Sequence, residues 1–429
     1  MTVSEIRETR LNRTGLILLI GAAVYGALAL LVALLGIIGG VNGSPETAAT
    51  LRALLLNGYS GADDIALILL ILLALISGGA LLVVMVGVLA QEPWALLLSV
   101  ALAVAAVILL VTLGYTPAVV ALATLAVALY PVLRDLRTLR ANPVARKELR
   151  ERMRGARAFA VISVYLALMS AFAVLLFLVN IPANPAFAMS VTGNLGRNLF
   201  AGLVGLQLLL IIFIAPAFTS GAITGERERK TYDLLQITLL SHPSFIIGKL
   251  ESALGYIFLL LLAAIPLQSI AFLFGGVTEV ELLLSFVILT VTAVTLGTVG
   301  LFFSTLVDRT IAASVRAYSL ALGVLVGVPI LGGFAINFFN NAASGAGTGF
   351  NGSPVVEGAL IYLGALLTSL NPITTALSAQ ELLLEQQSAG FLYATLSSTG
   401  GTVPVASPWI SFTVIYLLAA VILIIISVR

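Results

Sequence analysis

The chain has 429 residues, of which 60% are hydrophobic and 9% charged, and its mean hydropathy is +1.15. Soluble domains carry about 25% charged residues, so this composition excludes a water-solvated globule and makes lipid the expected solvent. The formal net charge of +2 says little as a total, and the lack of cysteine removes disulfides, thiolate metal clusters and cysteine nucleophiles.

Apolar runs of about 20 residues, long enough to cross some 30 Å of hydrocarbon, recur along the chain. Unpaired backbone groups are not tolerated in a bilayer interior, and the runs lack the alternation of barrel strands. The expected fold is therefore an all-α polytopic membrane protein of about ten transmembrane helices, at 14–40, 64–90, 95–113, 116–133, 158–180, 199–223, 246–274, 282–306, 311–335 and 408–428. The first run is too long for a signal-peptide core and is read as a retained span. With a cytoplasmic N-terminus, all of the 21 Lys and Arg residues except Arg52 and Arg197 fall at cytoplasmic connections or span ends.

The front section, 1–133, holds four spans whose role the sequence does not disclose; Gly78, Gly79 and Gly87 in it permit close helix packing. A basic connection at 134–157 follows. The back section, 158–429, holds six spans and an external helical segment, 337–407, that carries Glu357, Glu381 and Glu385 but no Lys or Arg. Within that segment, 359–370 is apolar but short for a span and reads as re-entrant or interfacial, and a second short helix is expected over 374–386 after Asn371-Pro372. No repeat relates the two sections, so an inverted-repeat architecture gains no support.

Few ionisable groups lie at membrane depth. Asp63, Asp64, Lys249, Glu251, Asp308, Arg309 and Arg316 sit near span ends, where water is within reach, so a mid-membrane ion relay would have to be built from Ser, Thr, Tyr and Asn. His242 is the one histidine and lies beside Pro243 in a turn, which leaves no basis for a histidine metal site or a Ser/His triad. Gly248-Lys249 lacks the glycine spacing of a phosphate-binding loop, so the chain has no ATP site of that kind.

The most informative stretch is 225–250, GERERKTYDLLQITLLSHPSFIIGKL. Glu226 can pair with Lys230 at i,i+4, and Tyr232, Leu235 and Leu239 share a helical face. These features predict a short helix from Glu226 to Leu240, charged end in solvent, broken by Pro243 before the next span. Such a helix could simply close two spans. Upstream, 142–159 reads NPVARKELRERMRGARAF, where Ala145, Leu149, Met153 and Ala156 form a thin apolar stripe flanked by Lys147, Arg150, Arg152, Arg154 and Arg157. That pattern predicts a helix on the membrane surface with basic side chains among anionic headgroups.

Both stretches resemble ABC-2 type transporter permeases. In the first, Glu226, Glu228, Thr231, Leu234, Leu235, Thr238, Leu240, Ser241, Gly248 and Lys249 match the family's cytoplasmic motif. The second is similar to its Asn-Pro…Glu-Leu-Arg-x-Arg opening. The resemblance covers about residues 142–429; Lys230 stands where the family usually has glycine, and the turn before Pro243 is expanded. The resemblance implies a permease subunit in the cytoplasmic membrane that exports or flips a substrate. It would have no catalytic, metal or cofactor site of its own, ATP and Mg being bound by a separate ATPase subunit. Residues Glu226, Arg227, Glu228, Lys230, Thr231, Tyr232, Leu234 and Leu235 would form the coupling helix. Lys147, Glu148, Arg150, Arg152 and Arg154 would belong to the connecting helix. Implied partners are the ATPase, a second permease copy or relative, and the lipid bilayer, with no nucleic acid. The competing readings are a secondary transporter or channel, for which Pro266 and Gly275-Gly276 are the nearest broken-helix features, and an intramembrane enzyme using Glu381 and Glu385.

Overall fold

The computed structural model describes residues 3–41, 46–60, 63–133, 142–154, 156–180, 188–232, 242–334, 354–385, 390–395 and 402–428. In chain order its helices are α1 (Val3–Val41), α2 (Glu46–Leu55), α3 (Asp63–Leu89), α4 (Trp94–Leu113), α5 (Ala118–Leu133), α6 (Pro143–Met153), α7 (Ala156–Asn180), α8 (Ala188–Thr219) and α9 (Thr224–Glu228). They continue with α10 (His242–Leu273), α11 (Glu279–Leu306), α12 (Thr310–Leu322), α13 (Pro354–Ser369), α14 (Pro372–Glu385) and α15 (Pro408–Val428). Among the described residues, nine helices are long and apolar enough to cross a membrane, and the chain is an all-α polytopic membrane protein.

Two expectations need correction. The run expected at 116–133 forms α5, only 16 residues long, because Gly114, with a φ of 60°, ends α4 and residues 115–117 turn before the next helix can start. The segment expected to be external and helical is not wholly helical: β1 (Phe391–Thr395) and β2 (Thr402–Ala406) pair antiparallel, with Phe391 opposite Ala406 and Thr395 opposite Thr402. Their aromatic and β-branched residues suit a pleated pair, and Pro404 is tolerated because a two-stranded ribbon is all edge.

The chain divides into two compact units. One comprises residues 1–143, 239–247 and 424–429. Its core gathers Leu18, Tyr25, Leu70, Leu81, Val84 and Tyr115. Small residues set the helix spacing: a Cβ on Gly78 would lie 3.1 Å from the Tyr25 Cβ, and one on Gly87 would run into Trp94 and Ala95. The Tyr25 hydroxyl donates to the Pro117 carbonyl (2.6 Å) and accepts the Ala121 N–H (3.1 Å), which ties α1 to the start of α5. The α3–α4 turn is a Schellman closure. Gln91 has a φ of 62°, its N–H reaches the Val88 carbonyl, and the Glu92 N–H reaches Gly87.

The other unit comprises residues 144–238 and 248–423. Its axis is the packing of α8 against α11. A Cβ on Gly300 would lie 3.2 Å from the Pro216 Cα and would overlap the Thr219 hydroxyl. Between α7, α8 and α10 runs a buried polar chain: Gln268 donates to the Gln207 carbonyl oxygen (2.5 Å), and Gln207 donates to the Tyr165 hydroxyl (3.2 Å). The apolar stretch expected to be re-entrant or interfacial is α13, which meets α14 at a bend of 116°. The bend is fixed by Asn371. Its Oδ1 accepts the N–H groups of Ile373 (2.8 Å) and Thr374 (3.3 Å), capping α14 with Pro372 in the first helical position. Its Nδ2 donates to the carbonyls of Val324 (3.2 Å) and Leu325 (2.7 Å), inside the π-turn Gly323–Gly327 that follows α12. A π-turn leaves carbonyls without their usual helical partners, and Asn371 supplies donors for two of them.

Candidate functional site

The two stretches singled out in the sequence come together around α9. That helix is only five residues long and does not continue to Leu240 as expected. It closes in a Schellman turn: the Lys230 N–H reaches the Arg227 carbonyl (3.0 Å) and the Thr231 N–H reaches Glu226 (3.0 Å). Lys230 has a φ of 58°, in the left-handed region that glycine enters without steric cost. The position where the sequence departs from the ABC-2 pattern, lysine for glycine, is thus the one position in this turn whose backbone favours glycine.

The expected Glu226–Lys230 pair does not form, because the left-handed turn carries Lys230 out to solvent. Glu226 pairs instead with Lys249 of α10 (2.7 Å) and accepts a hydrogen bond from the Thr231 hydroxyl. Lys249 was expected at a span end within reach of water, yet its side chain is only 6% exposed. It sits between two carboxylates, pairing also with Glu148 of α6. Glu148 accepts from the Ser252 hydroxyl as well (2.9 Å), one turn further along α10. A buried ammonium is tolerable only when paired and hydrogen-bonded, and the two acids supply that.

Further contacts hold α9 to the junction of α11 and α12. The Ser304 hydroxyl accepts the N–H groups of Ile223 (2.9 Å) and Thr224 (3.0 Å), serving donors that a helix start leaves unpaired. Glu228 accepts the Thr310 N–H (2.7 Å) and so caps α12 from a neighbouring element. Arg227 donates to the Val307 carbonyl (3.1 Å) and to Asp308 (3.2 Å), with its guanidinium over the Tyr232 ring. The Asp308 side chain is 92% exposed, so that ion pair adds little by itself.

The α6 helix is anchored on one side by packing and polar contacts. Leu149 packs on Gly255, where an added Cβ would lie 3.2 Å from it. Arg152 lays its guanidinium over the Phe218 ring at 5.6 Å and donates to the Phe218 carbonyl (3.4 Å). Burial lowers the Arg152 pKa from its ordinary value, and the Glu148 and Glu151 carboxylates oppose that shift. Of the expected apolar stripe, Leu149 faces inward while Met153 is 47% exposed.

Of the residues expected to meet a partner, Lys147, Arg150, Arg154, Glu228 and Lys230 are exposed, as is the neighbouring Arg229. Glu148, Arg152, Glu226, Arg227, Thr231 and Tyr232 are drawn into the cluster. Leu234 and Leu235 lie outside the described residues, as does Leu239, and the side chain of Arg157 is not described. Sequence reasoning missed Ser304 and the burial of Lys249. The first has no signal of its own; the second was foreshadowed by a lone lysine seven residues into an apolar helix.

On the other unit, Glu92 in the α3–α4 turn is 2% exposed. Burial pushes its carboxyl above the ordinary carboxylate range, opposed by hydrogen bonds from the Asn142 side chain and backbone. Asn142, the asparagine of the Asn-Pro pair, also donates to the Ser244 carbonyl (2.5 Å).

No protein-family model matches this chain, and a search of curated proteins finds no match either.

Proposed function

We propose that this chain is the membrane-spanning permease subunit of an ATP-binding cassette transporter. It would sit in the cytoplasmic membrane with its N-terminus inside, and export or flip a substrate using ATP hydrolysed by a separate subunit. The six-span back section would form the permease proper, pairing with a second copy or a relative. The observation that carries this reading is the clamping of α9. One short element is held directly to α10 by the Glu226–Lys249 pair, to Ser304 of α11 and to the start of α12, and through Lys249 to Glu148 of α6, while Arg229 and Lys230 on its closing turn face solvent. Transmission between an ATPase and a membrane pathway requires an element that contacts the partner and cannot move independently of the spans. The glycine-type backbone at Lys230 adds support, since the residue differs from the family pattern while the conformation fits it.

A secondary transporter would need polar groups at mid-membrane, and the Gln268–Gln207–Tyr165 chain is the nearest feature. Its members satisfy one another, which suits a structural role better than an ion path.

Co-purification from native membranes distinguishes the readings. Wild type is expected to bring down an ATPase subunit. The double variant Arg229→Glu, Lys230→Glu is expected to lose it while inserting normally, because both side chains face solvent. Wild-type protein that brings down no ATPase would overturn the assignment.

A further inference from the structure

Between α8, α11 and α14 lies a cleft that opens at its mouth. The walls are mostly apolar, with Phe200, Val204 and Leu208 from α8, Ile288 from α11, and Ile373 and Leu377 from α14. Glu281 is the one charged residue among the described lining residues, and it is 4% exposed. Arg197, the basic residue of α8, is not part of the lining.

Glu281 lies in the first turn of α11, and its local role occupies only one of its oxygens. Thr278 caps the helix by accepting the Glu281 N–H (3.2 Å), and the Thr278 hydroxyl donates back to Glu281 Oε1 (3.2 Å). Glu281 Oε2 is buried and has no hydrogen-bond partner among the described residues. A buried carboxylate oxygen without a donor is costly, and helix capping does not require it. Ser285, also in the lining, directs its hydroxyl to the Leu282 carbonyl (2.8 Å) rather than to Glu281. The site therefore combines an apolar channel, a single buried acid and an acceptor without a donor.

We propose that this cleft binds an amphiphile with a primary ammonium head and an aliphatic chain, the head donating to Glu281 Oε2 and the chain lying along Phe200, Val204, Leu208 and Ile288. An ammonium supplies both the countercharge and the N–H donors that the carboxylate lacks. A hydroxyl head supplies a donor without charge. Both a bilayer aminophospholipid and a free alkylamine carry this chemistry. The site is independent of how the chain is energised, so its failure would leave the coupling proposal untouched.

The test uses the full chain purified in a maltoside detergent, which carries no amine, titrated calorimetrically with dodecylammonium and with dodecanol. Dodecylammonium is expected to bind saturably, and at least about tenfold more tightly than dodecanol, as charge-assisted hydrogen bonding requires. Glu281→Gln should weaken dodecylammonium by about tenfold or more. Gly205→Leu fills the cleft from a position where an added Cβ meets nothing within 4 Å, and it should weaken both ligands. Equal affinity for the two ligands, or unchanged dodecylammonium binding in Glu281→Gln, overturns the proposal. If that variant fails to fold, unchanged binding in Gly205→Leu overturns it instead. In phosphatidylcholine nanodiscs, competition by added phosphatidylethanolamine assigns the site to a membrane lipid and its absence assigns it to a free amine; in both cases the Glu281 dependence must hold.

Discussion

Lys249 shows how much a single side chain can carry in this fold. Replacing it with methionine leaves Glu148 and Glu226 facing each other without their shared cation, and breaking one partner out of a buried pair is expected to cost about 2–4 kcal/mol. Neutralising the acids as well, in Lys249→Met, Glu148→Gln, Glu226→Gln, should recover most of that loss, because no uncompensated charge remains. Denaturant titration of the purified variants checks both results, and a triple variant no more stable than the single one would mean that the pairing is not what Lys249 contributes. At Lys230 the opposite holds. A left-handed backbone costs a non-glycine residue about 1–2 kcal/mol, partly offset by the greater freedom of glycine in the unfolded chain. Lys230→Gly should therefore raise stability by up to about 1 kcal/mol in the same titration, and a loss would contradict the turn. Glu92 provides a pH prediction. Its folded pKa is raised by burial, so the folded state holds the proton more tightly, and the stabilisation from the protonated form is lost as pH rises from the ordinary carboxylate range through the folded pKa. Glu92→Gln should melt higher than wild type at neutral pH, with the difference shrinking as pH falls. A constant difference across that range would count against the burial.

At the scale of elements, two contacts set the helix geometry of the back unit. Gly300 lets α11 approach α8 so closely that a side chain there must displace Thr219 or the backbone at Pro216. Gly300→Val is expected to cost about 1–3 kcal/mol through overpacking, measurable as earlier unfolding in detergent. The Gln207–Gln268 bond joins α8 to α10, and a double-mutant cycle with leucine at each position should show a coupling of about 0.5–1.5 kcal/mol. Additive single effects would mean that the pair is not coupled. Elements also show where the sequence was readable and where it was not. The long apolar runs gave the spans because hydrophobic length is a local property. The end of α9 was not legible, since charge spacing at Glu226 and Lys230 suggested continued helix. What decided the matter was a left-handed residue that is not glycine, together with Lys249, 23 positions downstream of Glu226, claiming the carboxylate. The pairing of Phe391–Thr395 with Thr402–Ala406 escaped notice because the lack of charge around it carried the argument while its β-forming residues did not. The meeting of Glu148 with Glu226 at Lys249 was not legible, because no periodicity links segments so far apart.

For the whole molecule, the described helices establish a multi-pass membrane protein, and the proposed orientation follows from where the basic residues lie. The chain contains no cysteine, so single cysteines report without background. One at Arg229 should react with a membrane-impermeant maleimide from the cytoplasmic face alone, and one at Glu381, exposed on α14, from the opposite face alone; the reverse pattern would invert the topology. The same Arg229→Cys protein allows the most direct test of the coupling proposal. Carrying a photo-cross-linker in native membranes, it is predicted to form its main protein adduct with an ATP-binding cassette ATPase, identified by mass spectrometry. An accessible, fully labelled protein that cross-links to no such ATPase would contradict the account.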